Sequence, residues 1–237
     1  MQPTLREKKP RAIQHKNKEH LEVVKKLKPL NEAQRQMIHS FKEGFNVVAF
    51  GSAGSGKSYV ACSLALEELF SKQIDKIVIV RSAVQVRDVG FMPGDLHDKA
   101  LAYTIPYKQI INDICQNGTA WDILSKKGMV EFITTSFVRG ITLDDCVVIV
   151  DEVQSMNAHE IDSIVTRVGK NCTLVICGDT RQNDLIKHKG DKSGFEDALE
   201  IFKKMSEDFE CVQFFPQDIV RSGLVKRWIL TKEELGL

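Results

Sequence analysis

Gly51-Ser52-Ala53-Gly54-Ser55-Gly56-Lys57-Ser58 is the stretch that decides the fold of this chain. It follows the apolar run 47–50 and leads into a segment of helical spacing that begins at Tyr59. The pattern G-x-x-x-x-G-K-S between a strand and a helix is typical of a phosphate-binding loop. A Gly/Ser-rich turn is the alternative, and the complete pattern in this context favours the phosphate site. We therefore predict that a nucleoside triphosphate contacts Gly51, Ser52, Ala53, Gly54, Ser55, Gly56, Lys57, Ser58 and Tyr59.

Each residue type in this loop has a chemical reason. The glycines allow successive backbone N–H groups to face phosphate oxygens, and the N-terminus of the following helix adds its positive dipole end. Lys57 is predicted to reach the β- and γ-phosphates, and the Ser58 hydroxyl is predicted to ligate Mg²⁺.

The composition is that of a globular protein, with 43% hydrophobic and 27% charged residues among 237. Charge is unevenly spread, because residues 1–28 carry nine Lys or Arg against three Glu while the rest is net acidic. We predict a flexible basic arm over 1–28, which either binds nucleic acid or stays solvated. Six dispersed cysteines without a C-x-x-C pair suit a reducing compartment, and no apolar run is long enough for a membrane span. These features favour a cytoplasmic location.

Strand-like and helix-like segments alternate along residues 29–237, which predicts an α/β fold with a mostly parallel sheet flanked by helices. Strands are expected at 47–50, 76–80, 129–135, 146–150, 172–177 and 211–215. A helical insertion is expected at about 90–128, with separate helices at 96–103 and 106–115 and a third around Trp121. A short helix at 20–28 and a closing helix at 219–228 complete the prediction.

Two acids follow the apolar strand 146–150, at the edge of the sheet where ligands bind. Asp151 is predicted to hold Mg²⁺, and Glu152 is predicted to be the general base that polarises the attacking water. A pair of solvated acids is the alternative, which the upstream phosphate loop makes less favoured. After the next strand, Gln182 is a candidate contact of the γ-phosphate or its water. Arg181 could sense the same charge. Asn-Lys occurs only at Asn17-Lys18 within the arm, so the guanine-reading N-K-x-D pattern is not found and ATP is favoured over GTP.

Several further motifs resemble the PhoH family of P-loop ATPases, which is similar to the first motor domain of superfamily-one helicases. The resemblance covers roughly residues 29–230. Besides the phosphate loop, it is carried by Pro29-Leu30-Asn31-Glu32-Ala33-Gln34, Gly90-Phe91-Met92-Pro93-Gly94-Asp95-Leu96, Phe137-Val138-Arg139-Gly140-Ile141-Thr142-Leu143, Asp151-Glu152-Val153-Gln154, Gly178-Asp179-Thr180-Arg181-Gln182 and Asp218-Ile219-Val220-Arg221. Ile141 stands where the family has an arginine.

The resemblance implies a RecA-like P-loop NTPase domain over 29–237, with Gln34 as the adenine contact. It also implies an oligomer, with a hexameric ring as the expected form, in which an arginine from the next subunit completes the ATP site. The candidates are Arg81, Arg139, Arg167 and Arg221, with Arg139 and Arg221 favoured because they lie in family-like motifs. The short chain is similar to PhoH proteins of tailed phages, which would place it in the host cytoplasm.

Three functions remain open at this point. The leading one is Mg²⁺-dependent ATP hydrolysis coupled to RNA or single-stranded DNA, as in a helicase or translocase. The second is an ATP-binding regulatory or assembly module without motor activity. The third is an ATP-linked nuclease, for which Asp95, Asp98, Asp144 and Asp145 are the candidate carboxylates.

Overall fold

A computed structural model describes residues 21–82, 96–179 and 194–235, with backbone only for 96–102 and residue 233. The strands are β1 (Asn46–Gly51), β2 (Lys76–Arg81), β3 (Val130–Thr134), β4 (Cys146–Val150), β5 (Thr173–Gly178) and β6 (Phe209–Phe214). The helices are α1 (Glu32–Glu43), α2 (Lys57–Phe70), α3 (Leu96–Cys115), α4 (Ala120–Lys126), α5 (Thr135–Val138), α6 (Ala158–Val165), α7 (Phe195–Lys204) and α8 (Gly223–Glu234). Short 3-10 turns lie at Val153–Ser155 and Pro216–Asp218.

All six strands pair in parallel, in the order β3-β2-β4-β5-β1-β6. Helices cover both faces of this sheet, so its central strands are apolar on both sides. On β1, Val47 and Ala49 pack with α1, α2, α3 and α4, while Val48 and Phe50 pack with α5, α6 and α7. The predicted α/β sheet flanked by helices is therefore confirmed.

Parallel pairing brings the carboxyl ends of the strands to one edge. The loop after β1, the acids after β4 and the end of β5 all lie there, as the sequence predicted. In the described part of the chain, no helix combines the length and apolarity needed to cross a membrane.

Four predicted helices differ in the structure. Residues 21–28 are not helical, because Leu21, Val23 and Leu27 pack against the core from an extended chain and Lys25 N donates to Ile114 O at 3.0 Å. The expected separate helices at 96–103 and 106–115 are one helix, α3, which continues through Pro106.

The closing helix begins at Gly223 and not at residue 219. The preceding residues stay irregular because Val220 N donates to Gly54 O at 3.1 Å, which holds this segment against the phosphate loop. The division between an arm at 1–28 and a domain at 29–237 stays a prediction, and most of that arm lies outside the described residues.

Candidate functional site

A cleft of about 1120 Å³ opens at the carboxyl edge of the sheet. The phosphate loop, the start of α2, the acids after β4 and the end of β5 all line it. The extended segment 24–28, which the sequence predicted to be helical, lines it as well. Predicted site residues that line the cleft are Gln34, Ala53, Gly54, Ser55, Gly56, Lys57, Ser58, Tyr59, Asp151, Glu152 and Arg221.

The phosphate loop has a shape that suits an anion. Within the described chain, the backbone N–H groups of residues 53–58 donate to no protein acceptor. Helix α2 begins at Lys57 without a side-chain cap, and Gly56, Lys57 and Ser58 at this end line the cleft. Free N–H groups at a helix N-terminus are the usual partners of phosphate oxygens.

Lys57 crosses this loop. Its Nζ donates to Gly51 O and Ser52 O, each at 2.8 Å, and more weakly to Ser55 Oγ at 3.3 Å. Burial lowers the pKa of Lys57, and the nearby Asp179 and Asp151 oppose that shift. The weakest of the three hydrogen bonds is the one that a phosphate oxygen can replace at least cost.

Gly51 is required by packing. Its φ of +114° is unfavourable for a side chain, and a Cβ at this position would lie 2.1 Å from Phe214 O. The close approach of β6 to the loop therefore depends on glycine here.

The two predicted metal ligands meet. Ser58 Oγ donates to Asp151 Oδ1 at 3.0 Å and Oδ2 at 3.1 Å, although the residues lie on α2 and after β4. Asp151 is buried and accepts a further hydrogen bond from Tyr107 at 2.7 Å. No three His, Cys, Asp or Glu side chains of the described ranges converge on a metal position. A hydroxyl and one carboxylate suit Mg²⁺, which keeps several waters and takes phosphate oxygens as its other ligands.

Glu152 has an unusual backbone. Its φ of 55° and ψ of 42° are left-handed, which costs a non-glycine residue about 1–3 kcal/mol and often marks a functional site. Burial raises the pKa of the Glu152 carboxyl, the neighbouring charge of Asp151 raises it further, and Arg81 opposes both. Gln154 Nε2 donates to Glu152 Oε2 at 2.5 Å.

Gln34 joins the segment before α1 to the phosphate loop. It is buried, its Oε1 accepts from Leu30 N at 2.9 Å, and its Nε2 donates to Ser55 O at 2.9 Å. Asn31 caps α1 by accepting from Gln34 N at 2.8 Å, and its Nδ2 donates to Asp218 O at 2.8 Å. The two motifs at either end of the chain therefore meet beside the loop.

The candidate arginines occupy different places. Arg221 lines the cleft of its own chain, where its Cγ lies 2.9 Å from the position of a Cβ on Gly54. Arg81 also lines the cleft, with its guanidinium carbon 5.3 Å from the ring centre of Tyr103. Arg139 is exposed at the end of α5, and neither it nor Arg167 lines the cleft. Gln182 and Arg181 lie outside the described residues.

The nuclease candidates do not join the site where they are described. Asp144 and Asp145 precede β4, at the edge of the sheet opposite Asp151. Asp144 Oδ1 accepts from Lys170 N at 2.6 Å and Asp145 Oδ1 accepts from Asn171 Nδ2 at 2.7 Å. Asp95 and the side chain of Asp98 lie outside the described part of the chain.

Sequence reasoning missed two residues of the site. Tyr107, near the middle of α3, donates a hydrogen bond to Asp151. Nothing in the sequence around Tyr107 signals that contact. Gln154 was visible as the fourth residue of Asp151-Glu152-Val153-Gln154, but its two side-chain contacts were not.

The family model described as "PhoH-like protein" matches residues 26–232. The chain belongs to the PhoH family. This family identity and the loop geometry make it a P-loop NTPase, as the motifs predicted.

Curated members of the PhoH family are similar over most of this chain. Protein PhoH of Escherichia coli (strain K12) is 34% identical over 199 residues, covering 83% of this chain and 55% of that protein. The PhoH-like protein of Bacillus subtilis (strain 168) is 34% identical over 197 residues, covering 83% and 60%. That of Mycobacterium tuberculosis (strain H37Rv) is 30% identical over 202 residues, covering 85% and 56%. The chain thus spans somewhat more than half the length of these relatives.

Among solved structures, the chain is similar to the Pif1 helicase from Candida albicans. It matches with a TM-score of 0.43 and 16% sequence identity, covering 89% of this chain and 44% of that chain.

Proposed function

We propose that this chain binds Mg²⁺-ATP in the cleft and hydrolyses it. The observation that carries the proposal is the pairing of Ser58 Oγ with both carboxylate oxygens of Asp151, at 3.0 and 3.1 Å. A hydroxyl at the start of the loop helix and an acid after another strand of the same sheet are the pair that holds Mg²⁺ in P-loop NTPases.

Phosphate binding would fall to the loop and to Lys57. The N–H groups of residues 53–58 and the Lys57 ammonium present positive charge in a partly buried site, where charge-assisted hydrogen bonds are strong. Ser58 and Asp151 would hold Mg²⁺, which would neutralise part of the negative charge of the phosphates.

Glu152 is the proposed general base. It follows Asp151 directly, has a left-handed backbone, and lines the same cleft. Gln154 holds its Oε2, and the raised pKa makes the ionised carboxylate a better proton acceptor than an exposed glutamate. Glu152 would accept the proton from the water that attacks the γ-phosphate. We propose Gln182 as the contact that senses this phosphate.

Gln34 is the proposed adenine contact. Its Oε1 and Nε2 each make one hydrogen bond to backbone, so each retains a lone pair or an N–H for the base edge. An amide fixed in this way can recognise the adjacent donor and acceptor of adenine.

We further propose that hydrolysis is coupled to RNA or single-stranded DNA in a homo-oligomeric ring. The basic charge of residues 1–28 supports a polyanionic partner. Arg139 is exposed, and Phe137, two residues before it, has 67% of its surface exposed. This exposure supports the proposal that Arg139 reaches the ATP site of a neighbouring subunit. Arg221 would instead act on the ATP of its own chain.

The test is phosphate release from ATP by the wild type, Lys57→Ala and Glu152→Gln, with Mg²⁺ or excess EDTA. We expect Mg²⁺-dependent turnover in the wild type, and loss of about 10²–10⁴-fold in Glu152→Gln with ATP binding retained. Each reaction is repeated with single-stranded RNA and with single-stranded DNA, which should raise the ATPase rate of the wild type.

Two outcomes would favour the other functions. ATP binding without turnover in the wild type would indicate a regulatory module. Nucleic-acid cleavage that persists in Lys57→Ala would indicate a separate nuclease centre.

A further inference from the structure

The hydroxyl of Tyr107 contacts the predicted metal ligand. Tyr107 lies near the middle of α3, is 1% exposed, and donates to Asp151 Oδ2 at 2.7 Å. This hydrogen bond is shorter than either of the bonds from Ser58 to the same carboxylate. It also joins elements far apart in the chain, the helical insertion and the end of β4.

Rotation of a metal-binding carboxylate must be restricted, because only some orientations direct an oxygen atom at the metal. Tyr107 donates to Oδ2 alone, while Ser58 contacts both oxygens, so the phenol distinguishes one carboxylate oxygen from the other beside the cleft. A neutral phenol does this without placing a positive charge that would repel the cation. Partners that orient ligands in this way typically change metal affinity by about 10–100-fold when removed.

The tyrosine itself is fixed by packing. Its ring centre lies 6.0 Å from the ring centre of Phe132 on β3, and Ile111 and Ile114 of the same helix belong to the same buried core cluster. Lys108, the next residue, donates to Asp122 of α4 at 2.9 Å. Because the ring is buried and its hydroxyl is bonded to Asp151, the hydroxyl is already placed on the carboxylate without a ligand.

We propose that Tyr107 is a positioning residue that orients Asp151 for Mg²⁺, so that the helical insertion sets the metal affinity of the site. The inference rests on the proposed Mg²⁺-ATP function. The competing explanation is that a buried phenol needs some acceptor and Asp151 is merely available. A purely structural role would change the stability of Tyr107→Phe and leave its metal dependence unchanged.

The experiment measures equilibrium binding of a fluorescent ATP analogue to wild type and Tyr107→Phe while Mg²⁺ is titrated from EDTA upward. We expect the Mg²⁺ concentration that gives half of the effect to rise about 10-fold or more in Tyr107→Phe. Affinity in EDTA should stay at the wild-type value, because the loop and Lys57 are untouched. Thermal unfolding without ligand confirms that the variant is folded.

Tyr103→Phe is the matched control, one helical turn earlier on α3. It retains the ring against Arg81, and we expect wild-type Mg²⁺ dependence. An unchanged Mg²⁺ midpoint in folded Tyr107→Phe would overturn the inference, as would an equal shift in Tyr103→Phe. If the ATP affinity of the wild type does not change with Mg²⁺ concentration, the proposed function is overturned, and this inference with it.

Discussion

Gln154 joins the candidate general base to the neighbouring strand end. Its Nε2 donates to Glu152 Oε2 at 2.5 Å while its Oε1 accepts from Asp179 N at 3.0 Å. Both groups of this buried amide are used, so the side chain has one orientation. Glu152 is thereby held relative to β5 as well as to β4.

Replacing Gln154 should therefore impair turnover more than binding. We expect Gln154→Ala to lower kcat about 10-fold, because Glu152 loses its fixed direction, with ATP affinity within about 2-fold of wild type. Steady-state phosphate release and equilibrium ATP binding measure the two effects. Gln36→Ala removes an exposed amide that contacts Glu210 on the surface, and it should change neither. Equal losses of affinity and kcat in Gln154→Ala would contradict an orienting role.

Gly51 should tolerate no side chain. A Cβ 2.1 Å from Phe214 O, at a positive φ, must push β6 away from the loop. We expect Gly51→Ala to lose at least about 2 kcal/mol of unfolding free energy, or roughly 4–8 °C in Tm. Gly118→Ala is the control, because its Cβ would meet nothing within 4 Å and its φ is not positive. Equal melting temperatures for the two variants would contradict the close packing.

Subunit mixing separates the arginines. If Arg139 acts in a neighbouring site, inactive Arg139→Ala mixed with inactive Glu152→Gln should regain activity, since some interfaces combine an intact base with an intact arginine. Arg221 lines its own cleft, so Arg221→Ala mixed with Glu152→Gln should stay inactive. The rate of phosphate release from each mixture, compared with that of each variant alone, shows which arginine acts in a neighbouring subunit. Recovery in the second mixture and not in the first would reverse these assignments.

The basic arm should contribute a salt-dependent term to nucleic-acid binding. Substituting its six Lys and Arg residues within 1–20 by Gln should weaken binding of single-stranded RNA or DNA. The slope of log affinity against log salt should fall by up to about 4. Fluorescence anisotropy at salt concentrations from about 50 to about 200 mM measures this slope. An unchanged slope would show that the arm does not bind phosphates. The control replaces four exposed lysines of the body, which are Lys126, Lys127, Lys203 and Lys204.

The sheet and the core of the site were predictable because local signals agreed with the tertiary structure. The run 146–150 is apolar at every position, as a strand buried on both faces must be, and Asp151 follows it at the ligand edge. The Gly-rich loop likewise has one backbone path that suits its sequence.

Other features depend on contacts that no local pattern encodes. Leu21, Val24 and Leu27 have helical spacing, yet Val24 is 54% exposed and Val23 packs inward instead. Pro106 signalled a helix break, but α3 continues through it and buries the following Tyr107 and Ile111 in the core. The Tyr107 contact joins positions 44 residues apart, so only the fold reveals it.

The most direct test of a Mg²⁺-ATP site is a crystal structure with a non-hydrolysable ATP analogue and Mn²⁺, located by its anomalous scattering. We predict one peak within about 2.0–2.3 Å of Ser58 Oγ or an Asp151 oxygen, with the triphosphate on the N–H groups of residues 53–58. A triphosphate bound elsewhere, or a metal that contacts neither Ser58 nor Asp151, would contradict the account.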